Sequence, residues 1–244
     1  MLAGLTGDRL AAACREQPKW FMLRFGGKDV GFMVQAQSPA AVVGDKKGFA
    51  VRSVSFFVSG KEKRALKRSF FVTSNFDFEQ WNEVLSISGV AKNDIEDGTR
   101  GGEKISCTLT PSEGAVVTRS AKAPREAYLP RVVGMLLPRL ADLSKPGVLG
   151  FLSYNAQNDE LDTRTFTVEG KDKLRVGDKT IDCVRVSDQL SMTTEPATLY
   201  VDEKGELIRM TTAEGLTIDA ASADEVAKLF SEAKGFDSFL KNGQ

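Results

Sequence analysis

The clearest strand pattern in the chain is Thr165-Phe-Thr-Val168, Glu169-Gly170, Lys173-Leu-Arg-Val176, Gly177-Asp178. Polar and apolar residues alternate in both runs, and a glycine-containing turn follows each of them. The same pattern continues through residues 181–186, 199–201, 207–210 and 216–218. Alternation with a period of two, interrupted by Gly and Asp turns, is typical of antiparallel strands. Residues 163–221 are therefore predicted to form a meander.

Composition excludes several classes of function. The chain has 244 residues, 33 basic and 33 acidic side chains, and no histidine. A formal charge of zero gives no general attraction for nucleic acid, so no nucleic-acid partner is predicted. The absence of histidine excludes a Ser-His-Asp or Cys-His site and removes the commonest metal ligand. No run approaches the roughly 18 apolar residues of a membrane helix, so no integral membrane segment is expected.

The three cysteines give no metal or redox motif. Cys14, Cys107 and Cys183 lie far apart and form no CxxC pair. Buried free thiols are the simplest interpretation, and a Cys107–Cys183 disulfide stays open. The residues before Cys14 resemble a lipoprotein cleavage site, but Asp8-Arg9 interrupts the apolar region, so no signal peptide is visible in this chain.

The chain is predicted to form one domain. Residues 1–18 are expected to be an N-terminal helix or extension that ends at Pro18, and residues 19–244 a single curved antiparallel β domain. The exceptions to the β pattern are a helical segment near residues 127–143 and a C-terminal helix near residues 223–234. The C-terminal helix begins with a capping-box sequence, Ser222-Ala-Asp-Glu225.

The helical segment is the most apolar one in the chain. Tyr128, Val132, Leu136 and Leu140 recur at helical spacing, while Pro138 must kink or divide the element. Because strands flank it on both sides, it is expected to pack against the concave face of the sheet.

Carboxylates provide the only candidate chemistry. Asp77, Glu79 and Glu83 flank Trp81, and paired carboxylates can perform acid–base catalysis. A second acidic group comprises Asp159, Glu160 and Asp162, and the densest basic stretch is residues 61–68. Solvated turns and strand edges explain all three groups more simply. We therefore predict no catalytic residues, no metal site and no cofactor.

Aromatic residues suggest a different role. The chain contains 15 phenylalanines, and Phe56-Phe57 and Phe70-Phe71 each place one ring on either face of a strand. Apolar surface on both faces needs a cover on each face, or it leaves a groove for an apolar ligand.

Several local patterns resemble one family. They are Trp20 with Gly26-Gly-Lys-Asp-Val-Gly-Phe32, then Ile181-Asp-Cys-Val-Arg-Val186 and Leu199-Tyr-Val-Asp-Glu-Lys-Gly-Glu-Leu207. These patterns resemble secreted bacterial proteins of unknown function that are similar to the LolA/LolB-type lipoprotein carriers. The resemblance implies an open half-barrel around helices, a periplasmic or otherwise extracytoplasmic location, and a lipid-like ligand. It carries over no catalytic residue.

The fold expected is thus mainly β, with a strongly curved antiparallel sheet wrapped around the central helical segment. The function expected first is non-enzymatic binding of an apolar ligand or lipidated partner in the concave face of the sheet. The alternative is a scaffold domain that binds a protein partner through a sheet edge, and a carboxylate-dependent hydrolase is least favoured. The residues expected to line the cavity are Phe25, Phe56, Tyr128, Val132, Leu136, Leu140 and Phe166.

Overall fold

A computed structural model describes residues 4–15 and 17–242. The strands among these residues form one antiparallel sheet of fourteen strands. The strands of the first half are β1 (Lys19–Phe25), β2 (Lys28–Val43), β3 (Lys46–Ser59), β4 (Glu62–Thr73), β5 (Phe78–Ile87), β6 (Asp94–Gly101), β7 (Lys104–Thr110) and β8 (Val117–Lys122). Those of the second half are β9 (Gly147–Asn155), β10 (Glu160–Val176), β11 (Lys179–Gln189), β12 (Ala197–Val201), β13 (Leu207–Thr211) and β14 (Thr217–Ala221).

The sheet consists of two meanders joined in the middle. Strands β1 to β8 follow one another from the middle of the sheet to one edge. Strands β9 to β14 follow one another from the other edge back to the middle, where β14 pairs with β1. The two edges are therefore β8 and β9, and no ladder joins them in the described residues. This arrangement confirms the predicted antiparallel, mainly β fold and shows a sheet that is not closed.

The strand registers define two ends of the sheet. We call the end that carries the β1–β2, β3–β4, β5–β6 and β7–β8 turns the lower end. The β2–β3 and β4–β5 turns lie at the opposite, upper end. Since side chains alternate across a strand, every other residue points to the inner face.

Three short helices fill the upper part of the inner face: α1 (Gly7–Ala13), α2 (Arg131–Met135) and α3 (Leu137–Leu140). Their apolar side chains share the largest buried cluster with β3, β4 and β10, including Val51, Phe70 and Phe166. The first half and the second half of the sheet thus share one core. The helix α1 belongs to this core, through Leu10 and Ala13.

The predicted helical segment near residues 127–143 is divided into α2 and α3. Pro138 has no backbone N–H to donate to the carbonyl of Gly134, four residues earlier. Arg164 on β10 donates to that carbonyl instead, over 3.4 Å. The break therefore has a direct cause in the sequence.

The C-terminal region covers the outer face of β1 to β3. It contains α4 (Ala223–Leu229), a 3₁₀ turn (Ser231–Phe236) and α5 (Asp237–Asn242), so helical structure continues beyond the predicted end near residue 234. The capping box at Ser222 and Glu225 is present as predicted. Phe32, Phe56 and Phe230 form the centre of this second apolar cluster.

The gap between the two sheet edges is bridged at two places. Leu129 donates its backbone N–H to Leu152, and Leu152 donates to Ala127, both over 2.8 Å. Nearer the lower end, the guanidinium of Arg119 on β8 donates to the carbonyls of Ala156 (2.6 Å) and Gln157 (2.7 Å). No helix in the described part of the chain has the length and apolar character needed to cross a membrane.

Candidate binding pocket at the lower end of the sheet

The lower part of the inner face contains a pocket of about 400 Å³. The registers of β4 to β8 place the apolar side chains that line it in neighbouring positions: Leu66 pairs with Leu85, and Leu109 pairs with Val117. Ile95, Pro111 and Ala115 complete the apolar part of the wall. The helices occupy only the upper part of the inner face, and this pocket lies in the part that they leave open.

Three carboxylates also line this pocket, and each has a partner. Arg68 donates to Glu83 across 2.9 Å, and Arg131 on α2 donates to Glu96 across 3.1 Å. Asp94 instead accepts the backbone N–H of Ser112. Hydrogen bonds from Ser112 hold the pKa of Asp94 below its usual value.

A buried polar network forms the inner end of the pocket. Glu96 accepts hydrogen bonds from the indole of Trp81 (2.8 Å) and from Arg131. The guanidinium of Arg131 lies 3.8 Å from the centre of the Trp81 ring, a cation–π contact. Glu79, which has no exposed surface, accepts the backbone N–H of Arg131 over 2.5 Å. The network thus ties the start of α2 to strands β5 and β6.

Glu79 and Arg100 form a fully buried ion pair. The Nε of Arg100 lies 3.7 Å from the Oε2 of Glu79, and neither atom has a hydrogen-bond partner. The remaining nitrogens of Arg100 donate to the carbonyls of Gly102 and Phe76. Burial raises the pKa of Glu79, and the charges of Arg131 and Arg100 oppose that shift. Removing either partner alone would leave an unpaired charge in the core, which strongly destabilises a fold.

A second pocket, of about 430 Å³, lies on the upper side of this network. Its lining includes Phe76, Arg100, Tyr128 and Pro130. The guanidinium carbon of Arg100 is 4.8 Å from the centre of the Tyr128 ring. Burial raises the pKa of Tyr128, so this phenol stays protonated. The polar network therefore connects the linings of the two pockets.

The structure brings five of the seven predicted cavity residues together. Tyr128, Val132, Leu136, Leu140 and Phe166 all belong to the largest buried cluster. They pack against other side chains of that cluster, and of the five only Tyr128 also lines a pocket, the upper one.

The other two predicted residues lie elsewhere. Phe56 is on the opposite face of the sheet, where it packs against Phe32 and Phe230, so its placement on the concave face was wrong. The physical reason is the C-terminal helices, which provide the second apolar cover that an adjacent pair of rings requires. Phe25 is at the lower end of β1 and is 54% exposed.

Sequence reasoning missed the residues that line the lower pocket. Leu66 lies four residues before Phe70, and Leu85 lies four residues after Trp81, so each pair shares a strand face. Phe70 and Trp81 are buried in the core, whereas Leu66 and Leu85 are only partly buried. The even spacing along each strand could have placed these residues on the inner face. It could not have shown that the helices leave this part of the face uncovered.

The other candidate groups have structural partners. The hydroxyl of Thr73 lowers the pKa of Asp77 in the β4–β5 turn. Asp159 accepts the hydroxyl of Tyr154, and Asp162 accepts Asn155. No group of three possible metal ligands occurs among the residues described.

All three cysteines are free, so the structure contains no Cys107–Cys183 disulfide. Cys107 is 1% exposed on the inner face of β7. Burial is the main cause that raises the pKa of its thiol to about 12, with the nearby charge of Glu96 adding to it.

Comparison with known proteins supports the fold. No family model matches this sequence, and no curated protein matches it. Among solved structures, the chain is similar to a β-barrel-like protein of domain of unknown function DUF1849 from Brucella abortus, with a TM-score of 0.54 and 11% sequence identity. The similarity covers 83% of this chain and 92% of that one. It shows a shared barrel-like fold, and the resemblance to LolA/LolB-type carriers stays a prediction.

Proposed function

We propose that this protein binds a small apolar or amphipathic ligand in the lower pocket and catalyses no reaction on it. The observation that carries the proposal is the partly exposed apolar wall formed by Leu66, Leu85, Leu109 and Val117. In the upper part of the inner face, apolar side chains of the strands pack against α1, α2 and α3. An apolar pocket with a few convergent polar groups is typical of small-molecule sites.

The size of the pocket fits a ligand of moderate affinity. About 400 Å³ lies at the small end of the range for ligand pockets. Each methylene buried from water contributes about 0.8 kcal/mol, so a chain of about ten carbons contributes about 8 kcal/mol before the costs of association. That sum is an upper limit on the binding energy, so the Kd is expected to be about 1 μM or weaker.

The polar groups around the pocket favour binding over catalysis. Glu79 and Glu96 are both engaged in the network that anchors α2, and Glu83 is paired with Arg68. A glycosidase-type reaction needs two carboxyl groups that flank the reacting bond, one of them as a free acid or base. The barrel-like fold, together with the sequence resemblance to LolA/LolB-type carriers, supports an extracytoplasmic carrier or sensor of apolar molecules.

The second candidate function is protein binding through a sheet edge. Strand β8 is an edge strand and most of its residues are exposed. An exposed edge can accept an added strand from a partner. This function becomes the preferred one if the lower pocket takes up no ligand.

The test uses the intrinsic fluorescence of Trp81. Trp81 donates to Glu96 at the inner end of the pocket, whereas Trp20 packs against Phe32 on the outer face. A Trp20→Phe variant therefore leaves one tryptophan beside the pocket. Titration with dodecanol below its solubility limit is expected to change the Trp81 emission in a saturable way.

The matched variants are Leu109→Gln and Leu229→Gln. Leu109 lines the pocket, whereas Leu229 is 58% exposed on α4. Leu109→Gln should weaken binding about tenfold, because it places an amide in the apolar wall. Leu229→Gln should leave binding unchanged. Equal binding by both variants, or no saturable change at all, would contradict the proposal.

A further inference from the structure

The charged side chains that line the lower pocket all have the same sign. They are Glu83, Asp94 and Glu96, and no lysine or arginine is among the lining residues. A pocket with apolar walls and carboxylates in those walls selects the charge of its ligand as well as its size.

Two of these three carboxylates are already neutralised. Arg68 pairs with Glu83 and Arg131 pairs with Glu96. Asp94 accepts the backbone N–H of Ser112, and no charged side chain of the described residues is among the causes of its lowered pKa. Three carboxylates against two guanidinium groups leave one negative charge, which is that of Asp94.

Two arginines near this face are already engaged. Arg64 at the lower end of β4 pairs with Glu62. Arg119, across the gap between the sheet edges, donates to the carbonyls of Ala156 and Gln157. In the part of the chain that is described, neither of these arginines lines the pocket. The uncompensated charge of Asp94 is thus available to a ligand.

Resting on the binding function proposed above, we infer that the ligand is an amphipathic cation with an apolar chain and one ammonium group. The chain lies along Leu66, Leu85 and Leu109, and the ammonium group lies against Asp94. A bound chain excludes water from the pocket, which strengthens the attraction between the two charges. Binding of this class of ligand leaves the pocket electrically neutral.

The experiment compares three probes with the same chain: dodecylammonium and dodecanoate below their critical micelle concentrations, and dodecanol below its solubility limit. Isothermal titration calorimetry at low ionic strength measures the Kd of each with the full chain. Dodecylammonium is expected to bind about three- to fivefold more tightly than dodecanol, and dodecanoate more weakly than either. Raising the salt concentration should reduce the preference for the cation.

Asp94→Asn is the test variant and Asp97→Asn its matched control. Asp97 lies three residues further along β6, on the outer face, where Asn82 donates to it. Asp94→Asn should abolish the preference for the cation while leaving the affinity for dodecanol unchanged. Asp97→Asn should leave both affinities unchanged.

The outcomes separate the two proposals. Equal affinities for the cation and the alcohol, both weakened by Leu109→Gln, would overturn the cation inference and leave the binding function in place. A preference for dodecanoate would overturn the inference in the same way. Failure of all three probes to bind would overturn both proposals.

Discussion

Removal of the Glu79 carboxylate is expected to destabilise the protein strongly. Glu79 has no exposed surface, accepts the backbone N–H of Arg131 over 2.5 Å and lies 3.7 Å from the Nε of Arg100. Glu79→Ala leaves the buried guanidinium of Arg100 without its counter-charge and the first N–H of α2 without an acceptor. Breaking a buried pair by removing one partner costs about 3–5 kcal/mol. That is a large part of the 5–15 kcal/mol by which a typical domain is stable.

Two further variants separate charge from hydrogen bonding. Glu79→Gln keeps an acceptor for the Arg131 N–H, so it should lose less stability than Glu79→Ala. The double variant Glu79→Met with Arg100→Met replaces the pair by apolar side chains of similar length, and its stability should return to within about 2 kcal/mol of the parent. Gln80→Ala, at the exposed neighbouring position, is the control and should change stability by less than about 0.5 kcal/mol.

The assay is urea unfolding followed by circular dichroism, with the free energy obtained by linear extrapolation. A loss of less than about 1 kcal/mol in Glu79→Ala would contradict this prediction, because it would mean that the buried charge of Arg100 needs no partner. A double variant less stable than Glu79→Ala would also refute it.

Two other predictions concern the inner face. A Cβ at Gly98 would lie 2.0 Å from a ring atom of Trp81. Gly98→Ala should therefore lower the free energy of unfolding by about 1–3 kcal/mol. Gly101→Ala on the same strand meets nothing within 4 Å and should cost less than Gly98→Ala; equal losses would contradict the packing described. Cys107 is 1% exposed and has a pKa of about 12, so iodoacetamide at pH 8 should modify it far more slowly in the native protein than in urea. Peptide mass analysis gives both rates, and equal rates would show that β7 opens readily.

Much of the fold could be predicted because strand alternation and turn chemistry are local. The β10–β11 hairpin pairs Val176 with Lys179 across the predicted Gly177-Asp178 turn, and Gly177 has the left-handed φ of 58° that favours glycine there. The capping box at Ser222 likewise needs only four consecutive residues. Pro138 marked the division of the central helical segment for the same reason.

Alternation in the sequence assigns the residues of each strand to two faces, but it does not show which of the two is the inner face of the sheet. Phe56 and Phe57 alternate, yet only the position of the C-terminal helices decides that Phe56 lies under Phe230. That position depends on contacts between residues far apart in sequence, which no local pattern records.

The candidate site was only partly accessible for a related reason. The stripe from Tyr128 to Leu140 is buried against the sheet, as expected. These side chains pack into the largest buried cluster and so fill the space where a ligand cavity was expected. The pocket is instead formed beside the start of α2, where strands β4 to β8 continue past the helices. The lengths of β4 to β8 relative to the short helices determine this place, and no local sequence pattern measures that difference.

The most direct test of the account is photo-crosslinking with a dodecylamine that carries a diazirine at the end of its chain. The full chain is irradiated with this probe, digested and analysed by mass spectrometry. Saturable labelling is expected on β4, β5 and β7 around Leu66, Leu85 and Leu109, and about tenfold more probe should be needed to label Leu109→Gln to the same extent. Labelling confined to the outer face, or spread along the exposed turns with no saturation, would contradict the claim that the lower pocket is the binding site.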